Sequence, residues 1–322
     1  GVLASGGSLT NLMALVIARF KFGLQNDPNA VVFASEEAHV SLSKAIRIMG
    51  LPDDSLRKIP TNDKGQISLE FLNKDLDLLR DKGRKCFAVV ATAGTTVIGA
   101  IDSIPELSAF CFKEGLWLHV DGAIGGVFAL VKSTSELVSG ISLANSVSLN
   151  PQKLLGVAKT SSLLLVANRT DLISTFSTEI PYVEPHVGDC YHGGEMGVQG
   201  TRPADVLKLW LGLRQLGEQG IQSLLENSIS RRKYFQNLLD LSKFDVLSGP
   251  LHLIAFTPKN VDNSFASKWS EVTRKKLLEE HFMLSRPHFR GKHYLKAVLG
   301  NPHTQSFHLD QLAEFLNRTV DI

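Results

Sequence analysis

An apolar stretch, Trp117-Leu118-His119-Val120, runs straight into a carboxylate at Asp121, and Asn150-Pro151-Gln152-Lys153 follows downstream. The lysine stands in a turn after a second apolar strand, Val147-Ser148-Leu149. An aspartate that stays ionised and a lysine that can lose its proton are what pyridoxal 5'-phosphate (PLP) chemistry requires. The carboxylate keeps the pyridine nitrogen protonated, and the amine carries the cofactor as an imine. Lys153 is one of 34 Lys and Arg residues, so position marks it rather than identity. Desolvation lowers a lysine's pKa and makes it nucleophilic, whereas a surface lysine stays protonated. A buried aspartate is costly unless paired, and a pyridinium is a suitable partner.

Other residues fall where such a cofactor would need them. Ser5-Gly6-Gly7-Ser8 directly precedes the first helical pattern. Two glycines let the backbone approach a ligand, and the amides of a helix start attract a phosphate. Taken alone, the motif also reads as a tight turn with an N-cap. Asn150 lies within reach of the same phosphate if the two segments are neighbours, although Asn-Pro is also simply a turn signal. His39 follows an apolar strand by a few residues, at the rim where open α/β sheets bind ligands, and its ring can stack on a pyridine. Ala93-Gly94-Thr95-Thr96 ends another strand at that rim; Thr95 can donate to a ligand oxygen or cap the next helix.

The elements that must position these residues alternate along the chain. Ser8–Phe20 has apolar residues at three- and four-residue spacing, with Ser8 available as cap and Gly23 as stop. A short strand follows at 30–34, then helices at about 40–49 and 68–81, and a buried strand at 86–91. Asp102 and Ser103 offer caps for a helix through Phe112, and a strand covers 116–120. Strands apolar throughout, alternating with amphipathic helices, indicate a mostly parallel sheet covered on both faces. Beyond about Gly220 the pattern changes. Helical segments 205–217 and 221–240 lead to strands at 244–248 and 251–256, a helix at 264–281, a strand at 294–299 and a last helix from about His308. Elements there are expected to be shorter and less buried. The division is a large domain over 1–220 and a smaller α+β domain over 221–322.

Composition narrows the function classes. The chain of 322 residues is 43% hydrophobic and 20% charged, as expected of a soluble globular protein. A formal net charge of +2 and no Lys/Arg cluster give no field for nucleic acid. Charged residues and glycines break every apolar run before bilayer length. Cys86, Cys111 and Cys190 have no CxxC spacing, so reduced thiols in a cytoplasmic protein are expected, with no metal site. The chain opens on Gly1-Val2-Leu3, and a preceding segment is expected to be missing, leaving the enzyme incomplete.

Taken together, SGGSLTNLMAL, HVSLSKAIRIMG, ATAGTTVIGAID, WLHVDGAIGG, NPQK, GTRPADVLKLWLGL and YLKAVLGNPHT resemble the group II PLP-dependent amino-acid decarboxylases. That family includes the glutamate, cysteine sulfinate, 2,4-diaminobutyrate and aromatic amino-acid enzymes. The resemblance implies a fold type I, PLP-dependent transferase-like α/β domain with a mostly parallel seven-stranded sheet. It implies Lys153 as the imine lysine, Asp121 as partner of the pyridine nitrogen and Ala123 under the ring. It also implies His39 stacked on the ring, Gly7, Ser8 and Asn150 around the phosphate, and Thr95 beside the cofactor. Tyr182 matches the loop tyrosine that returns a proton to Cα, and a homodimer with the active site at its interface is implied. The sequence departs from the family at Gln152, where histidine is usual, at Ile124, where an aromatic is common, and at Lys296, where acidic-substrate members carry arginine. The expected reaction is decarboxylation of a small polar or acidic L-amino acid. The alternatives are another PLP reaction, such as decarboxylation-dependent transamination or carbon–carbon lysis, and an inactive paralogue that acts as a binding partner.

Overall fold

The computed structural model describes residues 1–178 and 193–319. In chain order the elements are β1 (Val2–Ala4), α1 (Gly7–Lys21), β2 (Ala30–Ser35), α2 (Ser41–Ile48), β3 (Leu56–Ile59), α3 (Leu69–Asp81) and β4 (Lys85–Thr92). Next come α4 (Ile104–Glu114), β5 (Trp117–Gly122), α5 (Lys132–Ser135), β6 (Ser146–Leu149), β7 (Ser162–Val166) and α6 (Arg169–Phe176). The remainder holds α7 (Asp205–Leu238), β8 (Phe244–Leu247), β9 (Leu253–Pro258), α8 (Asn263–Glu279), β10 (His288–Phe289), β11 (Lys292–His293), β12 (Leu295–Val298) and α9 (Ser306–Arg318).

β1 to β7 form one seven-stranded sheet in the order β1-β7-β6-β5-β4-β2-β3. The ladders from β6 through β5, β4 and β2 to β3 are parallel, and β7 is antiparallel to both β6 and β1. Alternation along each strand divides the core in two. Val31, Phe33, Val89, Leu118 and Val120 face the cluster that holds Leu72 and Leu76 of α3 and Leu107 of α4. Ala30, Val32, Val90 and Trp117 face the cluster that holds Met13 and Ile17 of α1 and Leu42 of α2. A strand buried on both faces has no polar side to show, which is why β2, β4 and β5 read as continuous apolar runs.

The second sheet, β12-β9-β8, is antiparallel. It packs with α8 and α9 around Phe244, Phe256, Trp269 and Leu312. The expectation of shorter, less buried elements here is corrected: α8 has 17 residues, and β9 is buried along its whole length. The two helical segments expected at 205–217 and 221–240 are one long run broken at Gly217, whose φ of 60° is left-handed. Residue 220 therefore lies just past that break.

Two expected caps are also corrected. Gly6, not Ser8, is the N-cap of α1, in extended backbone and without a side-chain capping bond, and Ser8 lies in the helix itself. Ser103 is the N-cap of α4 but makes no side-chain capping bond. Asp102, 3% exposed, turns inwards instead. One of its oxygens accepts from the Ile67 amide at 2.7 Å and the other from the Thr92 amide at 2.7 Å. It thereby ties the loop before α3 to the end of β4. Burial pushes its pKa up to about 6, against the two backbone donors that lower it. An amide offers one acceptor oxygen, so Asp102→Asn leaves one buried N–H unpaired and is expected to lower the unfolding free energy by about 1–3 kcal/mol. Urea denaturation of the two proteins checks this.

Candidate active site

The carboxyl ends of β2, β4, β5 and β6 all open on one cavity of about 270 Å³. Gly7, Ser8, His39, Thr95, Asp121, Ala123, Asn150 and Lys153 all line it. The structure thus brings together every expected site residue it describes. Tyr182 lies outside the described residues.

Asp121 ends β5 at 5% exposure. Its Oδ2 accepts from Asn11 Nδ2 at 2.8 Å and its Oδ1 from the Ala123 amide at 3.1 Å. Both contacts aim a donor at a carboxylate oxygen. Lys153 rises from the turn after β6, with its amide donating to Asn150 O at 3.0 Å. Its amine makes no hydrogen bond or ion pair among the described residues. The lysine stands in the open cavity, yet surrounding protein displaces enough water to lower its pKa, and the anion of Asp121 opposes that shift. Gln152 fixes the turn from the other side: its Oε1 accepts from the Ser161 amide at 2.7 Å.

His39 lies in the loop between β2 and α2, with Nδ1 accepting from the Ser41 amide at 3.2 Å. The ring proton therefore sits on Nε2. Burial lowers the ring's pKa, and Lys153 and Lys44 add to this while Asp121 opposes it. Thr95 is 2% exposed, and its Oγ1 accepts from the Ala100 amide at 3.0 Å, which leaves the hydroxyl proton free to donate.

The first-turn amides of Gly7 and Ser8 have no intrahelical partner, as at any helix start. A Cβ on Gly7 would come within 2.9 Å of Asn150 Nδ2, so only glycine fits between helix and turn. Asn150 is 3% exposed, and among the described residues neither its Oδ1 nor Thr92 Oγ1, on the same cavity, has a hydrogen-bond partner. The uncapped first-turn amides, the Thr92 hydroxyl, an amine of lowered pKa and a carboxylate on one cavity fit a phosphate-bearing pyridine aldehyde.

Sequence reasoning missed several neighbours. Asn11, His119, Ser146 and Ser148 form a buried polar cluster on the α1 side of the sheet. The available signal was parity: His119 is two residues before Asp121 and so shares its face. Glu37 also lines the cavity; burial, then Glu36, push its pKa up, and Arg290 opposes them. The sites of the departures are now visible. Ile124 and Gln152 line the cavity, and Lys296 donates to Thr96 O at 2.9 Å, at the cavity wall.

Residues 1–258 match the family described as the pyridoxal-dependent decarboxylase conserved domain. The chain belongs to that family. It is a PLP-dependent amino-acid decarboxylase, as sequence motifs implied. It is 31% identical over 322 residues to an aromatic-L-amino-acid decarboxylase of Bacillus atrophaeus, which covers 97% of this chain and 67% of that protein. It is 29% identical over 343 residues to the cysteine sulfinic acid decarboxylase of Rattus norvegicus, which covers 99% of this chain and 70% of the relative. Among solved structures, that of mouse CSAD in apo form superposes with a TM-score of 0.90 at 27% identity, covering 99% of this chain and 71% of that one. The seven-stranded, mostly parallel sheet is that of fold type I.

Cys86 and Cys111 take no part in the site. Burial holds their thiols up at about 11 and about 12, so both stay protonated and unreactive near neutrality. The Gly7 contact yields a direct test. Gly7→Ala forces Asn150 aside and is expected to weaken PLP binding by about tenfold or more, the worth of one lost charge-assisted hydrogen bond. Equilibrium dialysis against PLP reads the change.

Proposed function

We propose that this decarboxylase works on a small polar or acidic L-amino acid, with Lys153, Asp121, His39 and Thr95 as its working residues. The observation that carries this reading is the placement of Lys153 and Asp121 on one cavity, between the uncapped start of α1 and the His39 loop. Gly7, Ser8 and Asn150 would hold the phosphate, Ala123 would contact the ring, and Lys153 Nζ would hold the cofactor covalently. Bound there, the cofactor accepts the electron pair released as the carboxyl group leaves Cα. Asp121 keeps the ring nitrogen protonated, so the pair is drawn towards a positive centre. His39 would cover the ring and offer Nε2–H to the substrate carboxylate, its Nδ1 being taken by the Ser41 amide. Thr95 donates its hydroxyl proton to a cofactor or substrate oxygen. Tyr182 is assigned by resemblance as the acid that returns a proton to Cα.

The substrate preference rests on the walls. Lys296 brings a cation beside Thr96, where burial and the nearby Lys153 lower its pKa. Glu37 puts a carboxyl group on the same cavity. Ile124 lines the cavity where an aromatic is common in the family. Charged walls of both signs suit a small polar side chain better than an indole or a catechol, which would leave them desolvated and unpaired.

A homodimer belongs to the same proposal. Val206, Leu207, Trp210 and Leu211 on the first turns of α7 are each more than half exposed, at 52, 57, 56 and 58%. An apolar row of that kind on a helix is covered when a second copy packs on it. No helix among the described residues is long and apolar enough to cross a membrane. A cytoplasmic location and a division into cofactor-binding (1–220) and smaller (221–322) parts complete the reading.

Three measurements test it. Lys153→Ala is expected to abolish turnover and remove the borohydride-trapped PLP adduct; trapping on Lys159 or another lysine instead would show the assignment to be wrong. In a substrate panel, glutamate, aspartate, cysteine sulfinate or diaminobutyrate should be decarboxylated in preference to DOPA or tryptophan. Lys296→Ala should lower kcat/KM for the acidic members by about tenfold, as expected when a hydrogen bond to a charged group is lost. Preference for an aromatic substrate would overturn the substrate claim and leave the PLP assignment standing.

A further inference from the structure

The polar cluster beneath Asp121 has only one self-consistent arrangement of protons, and the anion sets it. Asn11 is 1% exposed, and its carboxamide lies between two groups. On one side, Nδ2 is 2.8 Å from Asp121 Oδ2 and 3.0 Å from Ser41 Oγ. On the other, Oδ1 is 2.7 Å from Ser148 Oγ and 3.1 Å from His119 Nε2. Turning the amide over would place its oxygen against the Asp121 carboxylate, two acceptors in contact with no proton between them. The charge on Asp121 therefore fixes the amide with its N–H side towards the aspartate.

The rest follows in sequence. Asn11 Oδ1 needs donors, so Ser148 Oγ–H and His119 Nε2–H both point at it. His119 is fully buried, which lowers its pKa to about 4, so its ring is neutral and Nδ1 is bare. Bare Nδ1 accepts from Ser146 Oγ at 2.9 Å. Ser146 Oγ can spend its proton there because it accepts from the Trp117 indole N–H at 2.9 Å. An indole N–H only donates, so the chain has a fixed origin. Every bond from Trp117 through Ser146, His119 and Asn11 delivers a donor towards Asp121.

We propose that Asn11 is the positioning residue for decarboxylation in this protein, holding Asp121 ionised and aimed at the cofactor as the last link of this one-way donor chain. The inference rests on the reading of Asp121 as partner of the ring nitrogen. A proton shared between a carboxylate and a pyridine goes to whichever base is less stabilised as the bare base. Donors supplied by Asn11 and Ala123 stabilise the carboxylate, and the proton stays on the ring. Removing Asn11 raises the aspartate's affinity for the proton and moves it off the ring. The same removal strips His119 Nε2–H of its acceptor, and the ring switches to the Nδ1–H tautomer that can donate to Ser146 O, 3.2 Å away.

The test uses PLP-loaded protein in three variants, Asn11→Leu, Ser148→Ala and Asp121→Asn. Nitrogen-15 NMR reads the ring nitrogen of labelled PLP and the tautomer of labelled His119, alongside kcat and KM. The wild type should show a protonated pyridine and an Nε2–H histidine. Asn11→Leu should shift the ring nitrogen towards the unprotonated value, convert His119 to Nδ1–H and lower kcat by about tenfold or more, with KM little changed. Ser148→Ala, which keeps the packing, should move the ring nitrogen in the same direction by less. Asp121→Asn should give the full unprotonated shift; an unshifted Asp121→Asn would sink the reading of Asp121 itself. A shifted Asp121→Asn with a ring nitrogen unchanged in Asn11→Leu overturns the role of Asn11 alone. Should Asn11→Leu not fold, an unchanged ring nitrogen in Ser148→Ala overturns it equally.

Discussion

An anion has to survive in the middle of an apolar sheet, and the arrangement of this protein follows from that requirement. Asp121 lies at the end of a strand buried along both faces. A buried charge without partners is costly, so a carboxylate there needs donors. Two neutral donors, Asn11 Nδ2 and the Ala123 amide, stabilise its charge without neutralising it. On the proposed reading, the ring nitrogen of the cofactor would supply the opposite charge. A salt bridge to a protein cation would satisfy the aspartate too, but would leave nothing to attract the pyridine proton.

One helix meets that requirement and the phosphate requirement together. Helix α1 crosses the sheet against β1, β5, β6 and β7, so its start stands over the cavity and its second turn over Asp121. Gly7 and Asn11 are four residues apart, which is about 6 Å of helix rise. The uncapped amides therefore face one end of a ligand while Asn11 supports the residue at the other. Gly6 as N-cap suits this division: a serine or aspartate side chain there would compete for the amides that a phosphate needs. The same logic explains why Ser8, a good cap by type, lies one position inside the helix instead.

The parallel sheet was legible because burial on both faces leaves a run of apolar letters, as in Ala30–Ser35 and Lys85–Thr92. Chemistry was legible where it interrupts such a run at the carboxyl rim, at Asp121 and at the turn carrying Lys153. Short edge strands were not: Val2–Ala4 and Leu56–Ile59 are too brief to show a period. Asn11 and Ser148 escaped notice because a polar residue in an apolar helix or strand usually faces solvent, and only the fold shows that these face each other. The caps at Ser8 and Asp102 were misread for a related reason. Residue type names the hydrogen bonds a side chain can make, whereas tertiary packing decides that Asp102 spends both oxygens on backbone amides far from its own helix.

The cavity is built from two sources with different tasks. Its floor comes from β4, β5, β6 and α1, which hold Asp121, Lys153 and the phosphate end in a close-packed core where small shifts are costly. Its side wall is braced from the later sheet. Lys296 on β12 reaches the Thr96 carbonyl, and Leu251 lies within 2.9 Å of where a Cβ on Gly94 would stand. Val97, Ile98 and Ala100 of the Thr95 loop pack with Ala255, Phe289 and Tyr294 of the C-terminal elements. Lys296 meets the cavity at the Thr96 carbonyl, whereas Asn11 and Asp121 pair on the α1 side of the sheet, so changing Lys296 is expected to alter the wall without moving that pair. On the proposed reading, bond-breaking would rest on groups the sheet holds in a close-packed core, and discrimination between substrates on the side wall. The charge at Lys296 and the absence of an aromatic at Ile124 would then bear on which amino acid enters rather than on the removal of its carboxyl group.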